Sequence, residues 1–194
     1  LNGTSYELKD LTRNTSTGNR TFNLNHATSG TGTLYTDGDN GWGDGANYVE
    51  GSSTTAATGQ TAAVDAHFGM ASSSDYFALV HGRNGIDNTG RGSFSRVHYG
   101  RNYANAFWSD SCFCMTFGDG DNGASIYPLV SIDVAGHEMS HGVTSRTANL
   151  IYNGESGSLN EATSDIFGTM VEYYANTAAD PADWKARLLD EVKK

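Results

Sequence analysis

Basic side chains are scarce in this sequence: 12 Lys and Arg stand against 22 Asp and Glu, which leaves a net charge of −10 and a pI near 4.8. With no basic run to neutralise phosphates, nucleic acid is excluded as a partner. An acidic surface suits bound cations, and it equally suits plain solvation. Long apolar runs are missing too, so no membrane span is expected. No charged-then-apolar leader opens the chain, so any secretion signal has been removed or was never there. Proline is limited to two residues, none before Pro128, and cysteine to Cys112 and Cys114. That C-x-C pair can bridge through a small, strained ring or remain two thiols; a bridge would point to an extracellular home. What the chain has in quantity is glycine, 24 residues, with Ser, Thr, Asn and Tyr, a loop-rich composition of the kind exoenzymes carry. Its 194 residues suffice to bury a real core, as one domain or two lobes.

Residues 1–60 read as strand and turn. Short alternating stretches such as YELKDL and RTFNLNH are broken by TSTGN, TSGTG and TDGDNGWGDG. A helix is predicted over about 61–81, with Val64, Phe68 and Ala71 at helical spacing, then Phe77 and Val80. Strand and turn return over 92–130 in RVHYG, NAFW and CFCMTF. From Ile132 the period is helical again: Ile132, Ala135, Met139 and Val143 form one apolar stripe, with Asp133 near the start as a cap. A further helix should start near Ser158 and run through Tyr174, with Leu159, Ala162, Ile166, Met170 and Tyr173 inward. The chain then closes on the amphipathic DPADWKARLLDEVKK. The expected organisation is α+β: a β-rich N-terminal lobe over 1–131 with one long helix, followed by a helical segment over 132–194.

The segment GHEMSH carries the chemistry. Residues i and i+4 of a helix lie about 40° apart around the axis, so His137 and His141 face one way and can hold one metal ion. Glu138 then sits beside the metal without ligating it, where a base acting on water belongs. The competing reading is a chance pattern on a surface helix. The next helix supplies SLNEATSD, with Glu161 and Asp165 four apart on one face. A catalytic zinc takes three protein ligands and keeps one position open, and a carboxylate is a normal third ligand. The other acid would then fix a histidine by its second ring nitrogen. Spacing leaves open which acid does which, and also allows a capping box, Ser158-x-x-Glu161.

The stretch DVAGHEMSHGVTSRTANLIYNGESGSLNEATSDIFGTMVEYYAN resembles the core of the thermolysin-like neutral zinc metalloproteases. VDAHFG, VHYGRNYANAFW and MTFGDGD are similar to that family as well, so the likeness covers most of residues 33–176. The resemblance implies His137, His141 and Glu161 as zinc ligands and Asp165 as the partner of His137. It implies a thermolysin-like fold and a secreted endopeptidase, in which Glu138 assists attack of zinc-bound water on a peptide bond. Tyr152 would donate to the oxyanion. Leu129 and Val134 would belong to a pocket for a large apolar residue after the cut bond. Asn105, Ala106, Phe107 and Trp108 would form the edge strand on which the peptide lies. Calcium is implied as well, with Asp133, Glu172 and Asp183 as one ligand set and Asp37 and Asp39 as another. The segment GDGDNG at 118–123 resembles a calcium loop too, but ordinary turns explain it equally.

Two parts of the family pattern are not met. The six histidines are His26, His67, His81, His98, His137 and His141, and none follows the zinc motif. Arg187 stands in unmatched sequence. The expectation is therefore a monomer that acts on peptides or proteins, lacks a later helical domain and cleaves weakly by itself. The alternative is a catalytically silent module that binds zinc and calcium.

Overall fold

The computed structural model describes residues 5–14 and 17–178. Five short strands come first: β1 (Tyr6–Glu7), β2 (Lys9–Asp10), β3 (Asn19–Asn23), β4 (Thr33–Leu34) and β5 (Thr36–Asp37). The helix α1 (Ala57–His81) separates them from β6 (Phe94–Tyr99), β7 (Ala106–Ser109) and β8 (Cys114–Gly118). Two more helices follow, α2 (Ile132–Ser145) and α3 (Gly154–Ala175). No helix among the described residues is long and apolar enough to cross a membrane.

The main sheet runs β2–β3–β6–β8–β7, with β4 also on β3. Its centre is parallel, β3 to β6 and β6 to β8, while β7 returns antiparallel with Ala106 opposite Phe117 and Ser109 opposite Cys114. Central parallel strands are covered on both faces, which is why every residue of CMTFG is buried. Full burial of side chains such as Phe117 and Met139 contributes about 1.5–3 kcal/mol each. β7 ends the sheet and leaves one edge unpaired. At the turn from β7 to β8, Cys112 and Cys114 are bridged, with their Cα atoms 5.3 Å apart.

The predicted long helix is present and buries Phe77 of its predicted stripe, but the rest of its buried face differs from that stripe. Phe68 is 46% exposed and Val80 53%, whereas Ala62, Ala63, Ala66, Gly69 and Met70 are buried. The cause is close packing. A Cβ on Gly69 would come within 2.5 Å of the Ala135 Cβ on α2, so the contact is made by residues with almost no side chain. Gly82, with φ of 63°, ends α1 in the left-handed conformation that glycine adopts without strain.

On α2 the predicted stripe is the buried one: Ile132, Ala135, Met139 and Val143 all lie in the core. The cap is corrected. Ser131 occupies the N-cap position, and Asp133 lies inside the first turn, accepting a 2.5 Å hydrogen bond from the Ser131 hydroxyl. On α3 the predicted stripe is reversed. Leu159, Ile166 and Tyr173 are more than half exposed and Ala162 is exposed, while Gly157, Asn160, Ser164, Gly168 and Val171 are buried. Of the predicted set only Met170 packs against the core. The helix also starts earlier, at Gly154, so Ser158 is not a cap; its hydroxyl donates to the Gly154 carbonyl at 3.4 Å.

The two glycines explain that choice of face. A Cβ on Gly168 would meet the Asp133 carbonyl at 2.5 Å, and one on Gly136 would meet the Gly168 Cα at 3.0 Å. α2 and α3 thus touch backbone to backbone. They run antiparallel, with Gly168 against Asp133 and Asn160 against His141.

Candidate metal centre and cleft

Close approach of α2 and α3 puts the side chains that flank the glycines onto one point. His137 and His141, one turn apart, bring their Nε2 atoms 3.0 Å from each other. From α3, the Glu161 carboxylate reaches both, with Oε2 at 3.2 Å from His137 Nε2 and Oε1 at 3.5 Å from His141 Nε2. Ligands at the corners of a zinc tetrahedron, with bonds of about 2.0–2.1 Å, stand about 3.3 Å apart. The three side chains therefore fit zinc by donor type and by spacing. Among the described residues, this is the group of three His, Cys, Asp or Glu whose ligand atoms all lie within 4.8 Å of one another.

The outward ring nitrogens are held. His137 Nδ1 donates to Asp165 Oδ1 at 2.8 Å, and His141 Nδ1 donates to Asn160 Oδ1 at 2.7 Å. Both bonds leave Nε2 as the metal-facing atom and fix the planes of the rings. Asn160 is itself anchored, its amide donating to the Leu150 carbonyl at 3.2 Å. Sequence reasoning missed Asn160. The signal was a polar residue on the same face as Gly157, Ser164 and Gly168, where a buried amide has to find a partner.

With only the protein's own charges acting, the two imidazoles separate. Burial alone would push His137 down, but its hydrogen bond to Asp165 and the charges of Glu138, Asp165 and Glu161 lift it to about 9. Burial pushes His141 below its ordinary value, and the bond to Asn160 does not offset burial and the neighbouring His137 cation. Of the pair, the proton rests on His137. A metal ion has to displace it.

These residues line a cleft of about 650 Å³. Asn105, Ala106, Phe107 and Trp108 form one wall, along the unpaired edge of β7. Leu129, Asp133 and Val134 stand at the start of α2, and Glu138 is buried beside the histidines. Tyr152 stands at the exposed rim. Its hydroxyl donates to Glu161 Oε1, and this bond, before burial, raises the phenol to about 12.

The expected calcium residues are more scattered. Asp133 faces the cleft, whereas Glu172 is buried one helical turn beyond Gly168. Asp37 and Asp39 lie in a turn of their own: Asp37 accepts from the Asp39 backbone at 2.8 Å and from Gln60 at 3.0 Å, and Asp39 accepts from the Gly41 backbone at 2.8 Å. In GDGDNG, Asp119 turns inward to His98 at 2.8 Å, and Asp121 closes on Ser125 and Ile126. Asp183 and Arg187 lie outside the described residues.

Comparison with known proteins agrees with this geometry. Residues 1–145 match the profile described as thermolysin metallopeptidase, catalytic domain, and residues 148–186 match the alpha-helical domain of the same family. The chain is 58% identical over 182 residues to a transglutaminase-activating metalloprotease of Streptomyces mobaraensis, covering 94% of this chain and 22% of that protein. It is 45% identical over 176 residues to the thermostable neutral protease NprT of Geobacillus stearothermophilus, covering 90% of this chain and 29% of that one. Among solved structures, the precursor of protealysin, a metalloproteinase from Serratia proteamaculans, superposes with a TM-score of 0.66 at 33% identity, over 86% of this chain and 47% of that chain. The chain thus spans between a fifth and a third of the length of these curated relatives. With an α+β, thermolysin-like fold and matching profiles over most of its length, the chain belongs to the thermolysin metallopeptidase family.

Proposed function

We propose that this chain is the peptide-cleaving part of a secreted zinc metalloendopeptidase that acts, as a monomer, on peptide or protein substrates. The observation that carries the reading is the triangle of His137, His141 and Glu161, with sides of 3.0, 3.2 and 3.5 Å, beside the buried Glu138. Zinc held there would polarise a peptide carbonyl and bring the pKa of water towards about 7. Glu138 takes the proton of the attacking water and delivers it to the departing nitrogen. Asp165 and Asn160 keep both imidazoles turned to the metal. Tyr152 turns the hydrogen bond of its hydroxyl from Glu161 to the developing oxyanion.

Substrate would lie extended along β7, using its unpaired backbone groups over Asn105 to Trp108. Leu129 and Val134 offer an apolar wall, so a large apolar side chain is preferred after the cut bond. The division at residue 132 belongs to the same reading, with the β-rich lobe on one side of the cleft and α2 and α3 on the other. No histidine follows His141, so the later imidazole that would join Tyr152 in donating to the oxyanion is not among these 194 residues. Loss of one such donor costs about 10²–10³ in rate, and weak cleavage is expected from this chain alone. Calcium is proposed to draw on Asp133 of α2 and Glu172 of the antiparallel α3, carboxylates of like charge that a cation would neutralise. For Asp37 and Asp39, whose carboxylates already serve their turn, it is proposed as a weaker site.

The test is zinc-dependent cleavage of a peptide with leucine after the scissile bond, with Glu138→Gln as control. Chelator-sensitive cleavage that disappears in Glu138→Gln, with zinc still bound, supports the reading. Cleavage that survives the substitution contradicts it, and zinc uptake without any cleavage would favour a silent binding module.

A further inference from the structure

The turn between β7 and β8 is fastened to the end of α2 in a way that the zinc site does not require. The Asp110 carboxylate lies on the cleft wall and accepts on a single oxygen from Trp108 Nε1 at 2.7 Å, from the Ser145 hydroxyl at 3.0 Å and from the Arg146 guanidinium. Trp108 belongs to β7, and Ser145 and Arg146 end α2, so one carboxylate joins the substrate wall to the zinc helix. The same junction is packed from below. A Cβ on Gly142 would meet the Trp108 ring at 2.8 Å, so the indole rests directly on the helix backbone one residue past His141. Phe113 sits edge-on to Trp108 at 5.3 Å, with Arg91 and Arg146 over its face at 4.1 and 5.1 Å. The Cys112–Cys114 bridge closes the turn around Phe113.

We infer that Asp110 and Arg146 form a positioning clasp that sets the distance between the free edge of β7 and the zinc helix, and so governs how tightly an extended peptide is held. The inference rests on the proposed function, because the clasp matters only if a peptide lies on β7. An exposed ion pair alone contributes little to stability. Here the value lies in order: three donors from two elements meet one oxygen, and a strand already held in place loses less freedom when substrate pairs with it. Asp110 and Arg146 do not touch the reacting bond, so their loss should weaken peptide binding and raise KM while kcat changes less than about twofold.

The experiment uses the full zinc-loaded chain in a Glu138→Gln background, which the proposed function predicts to bind peptide without cutting. A short acetylated peptide with leucine after its central bond is titrated by fluorescence, and zinc affinity is measured in parallel. Asp110→Ala and Arg146→Ala are each expected to weaken the peptide by about three- to tenfold, with zinc affinity unchanged and the double variant no worse than the weaker single one. Asp110→Asn keeps acceptors for Trp108 and Ser145 and should recover part of the loss. Peptide affinity equal to the parent in both single variants overturns the clasp, as does a parallel loss of zinc. If the parent binds zinc but no peptide, the proposed function fails, and amide exchange at Ala106–Ser109 decides the clasp by itself. Faster exchange in Asp110→Ala upholds it, and unchanged exchange refutes it.

Discussion

Two sets of carboxylates in this protein look alike in sequence and behave oppositely in the fold. NEATSD on α3 sends Glu161 and Asp165 across to the imidazoles of α2. In TDGDNG and GDGDNG, Asp37, Asp39 and Asp121 accept from backbone N–H groups of their own turns, and Asp119 alone turns inward to His98. The Asp39 backbone N–H, then Gln60, holds the Asp37 carboxyl down at about 2, and the Ser125 hydroxyl with the Ser125 and Ile126 backbone does the same for Asp121. The difference is rigidity over a gap. Acids on a helix cannot reach their own backbone N–H groups, which are committed to the helix, so they serve another element. Acids in a turn satisfy the nearest N–H first. A metal site is thus marked less by the number of acids than by a scaffold that denies them local partners.

The comparison breaks first at Glu161. Glu161→Ala should lower zinc affinity by about 10³-fold or more, whereas Asp37→Ala leaves it unchanged; equilibrium competition with a chromophoric chelator measures both. Asn160→Ala should cost about 10- to 100-fold in zinc affinity, on the same scale as Asp165→Ala, because each removes the bond that orients one imidazole. A wild-type affinity in Asn160→Ala would show that the ring of His141 is held by packing alone.

The scaffold is the next target. Gly168→Ala would drive a Cβ into the Asp133 carbonyl at 2.5 Å, so α2 and α3 must part. A destabilisation of about 1–3 kcal/mol is expected by thermal unfolding, with weaker zinc binding in the same variant. The smallest effect concerns acids outside both sets. Asp10 and Asp75 hold the Arg13 guanidinium at 2.7 and 2.6 Å. Burial raises the Asp10 carboxyl, but bonds from Thr12 and Arg13 carry it below its ordinary value. A depressed carboxyl gives stability that is present above the unfolded pKa of about 4 and lost as pH falls through the folded value. Asp10→Asn should therefore cost about 1 kcal/mol at pH 7 and progressively less as pH falls below about 4, read as converging melting temperatures.

What the sequence disclosed follows the same physics. HEMSH and NEATSD were legible as same-face pairs because helical spacing converts directly into a shared face, while the separate roles of Glu161 and Asp165 came from the family resemblance. The α2 stripe was legible because it uses Ile132, Met139 and Val143, residues that announce burial. The faces of α1 and α3 were not, because they are buried through Ala63, Ala66, Gly69, Ser164 and Gly168 while Phe68, Leu159 and Ile166 stay outside. Apolar periodicity finds large side chains, and here the close helix contacts that build the site exclude them. Asp110 was invisible for a different reason. Its partners Ser145 and Arg146 are 35 and 36 residues away, and no local pattern joins a strand turn to a helix end.

X-ray absorption at the zinc edge, on the parent chain and on Glu161→Ala, tests the central claim most directly. The account predicts one four-coordinate zinc per chain in the parent, with two imidazole nitrogens and a carboxylate oxygen at about 2.0–2.1 Å, and loss of that carboxylate in the variant. An identical zinc environment in both proteins, or a sulfur ligand in either, would contradict it.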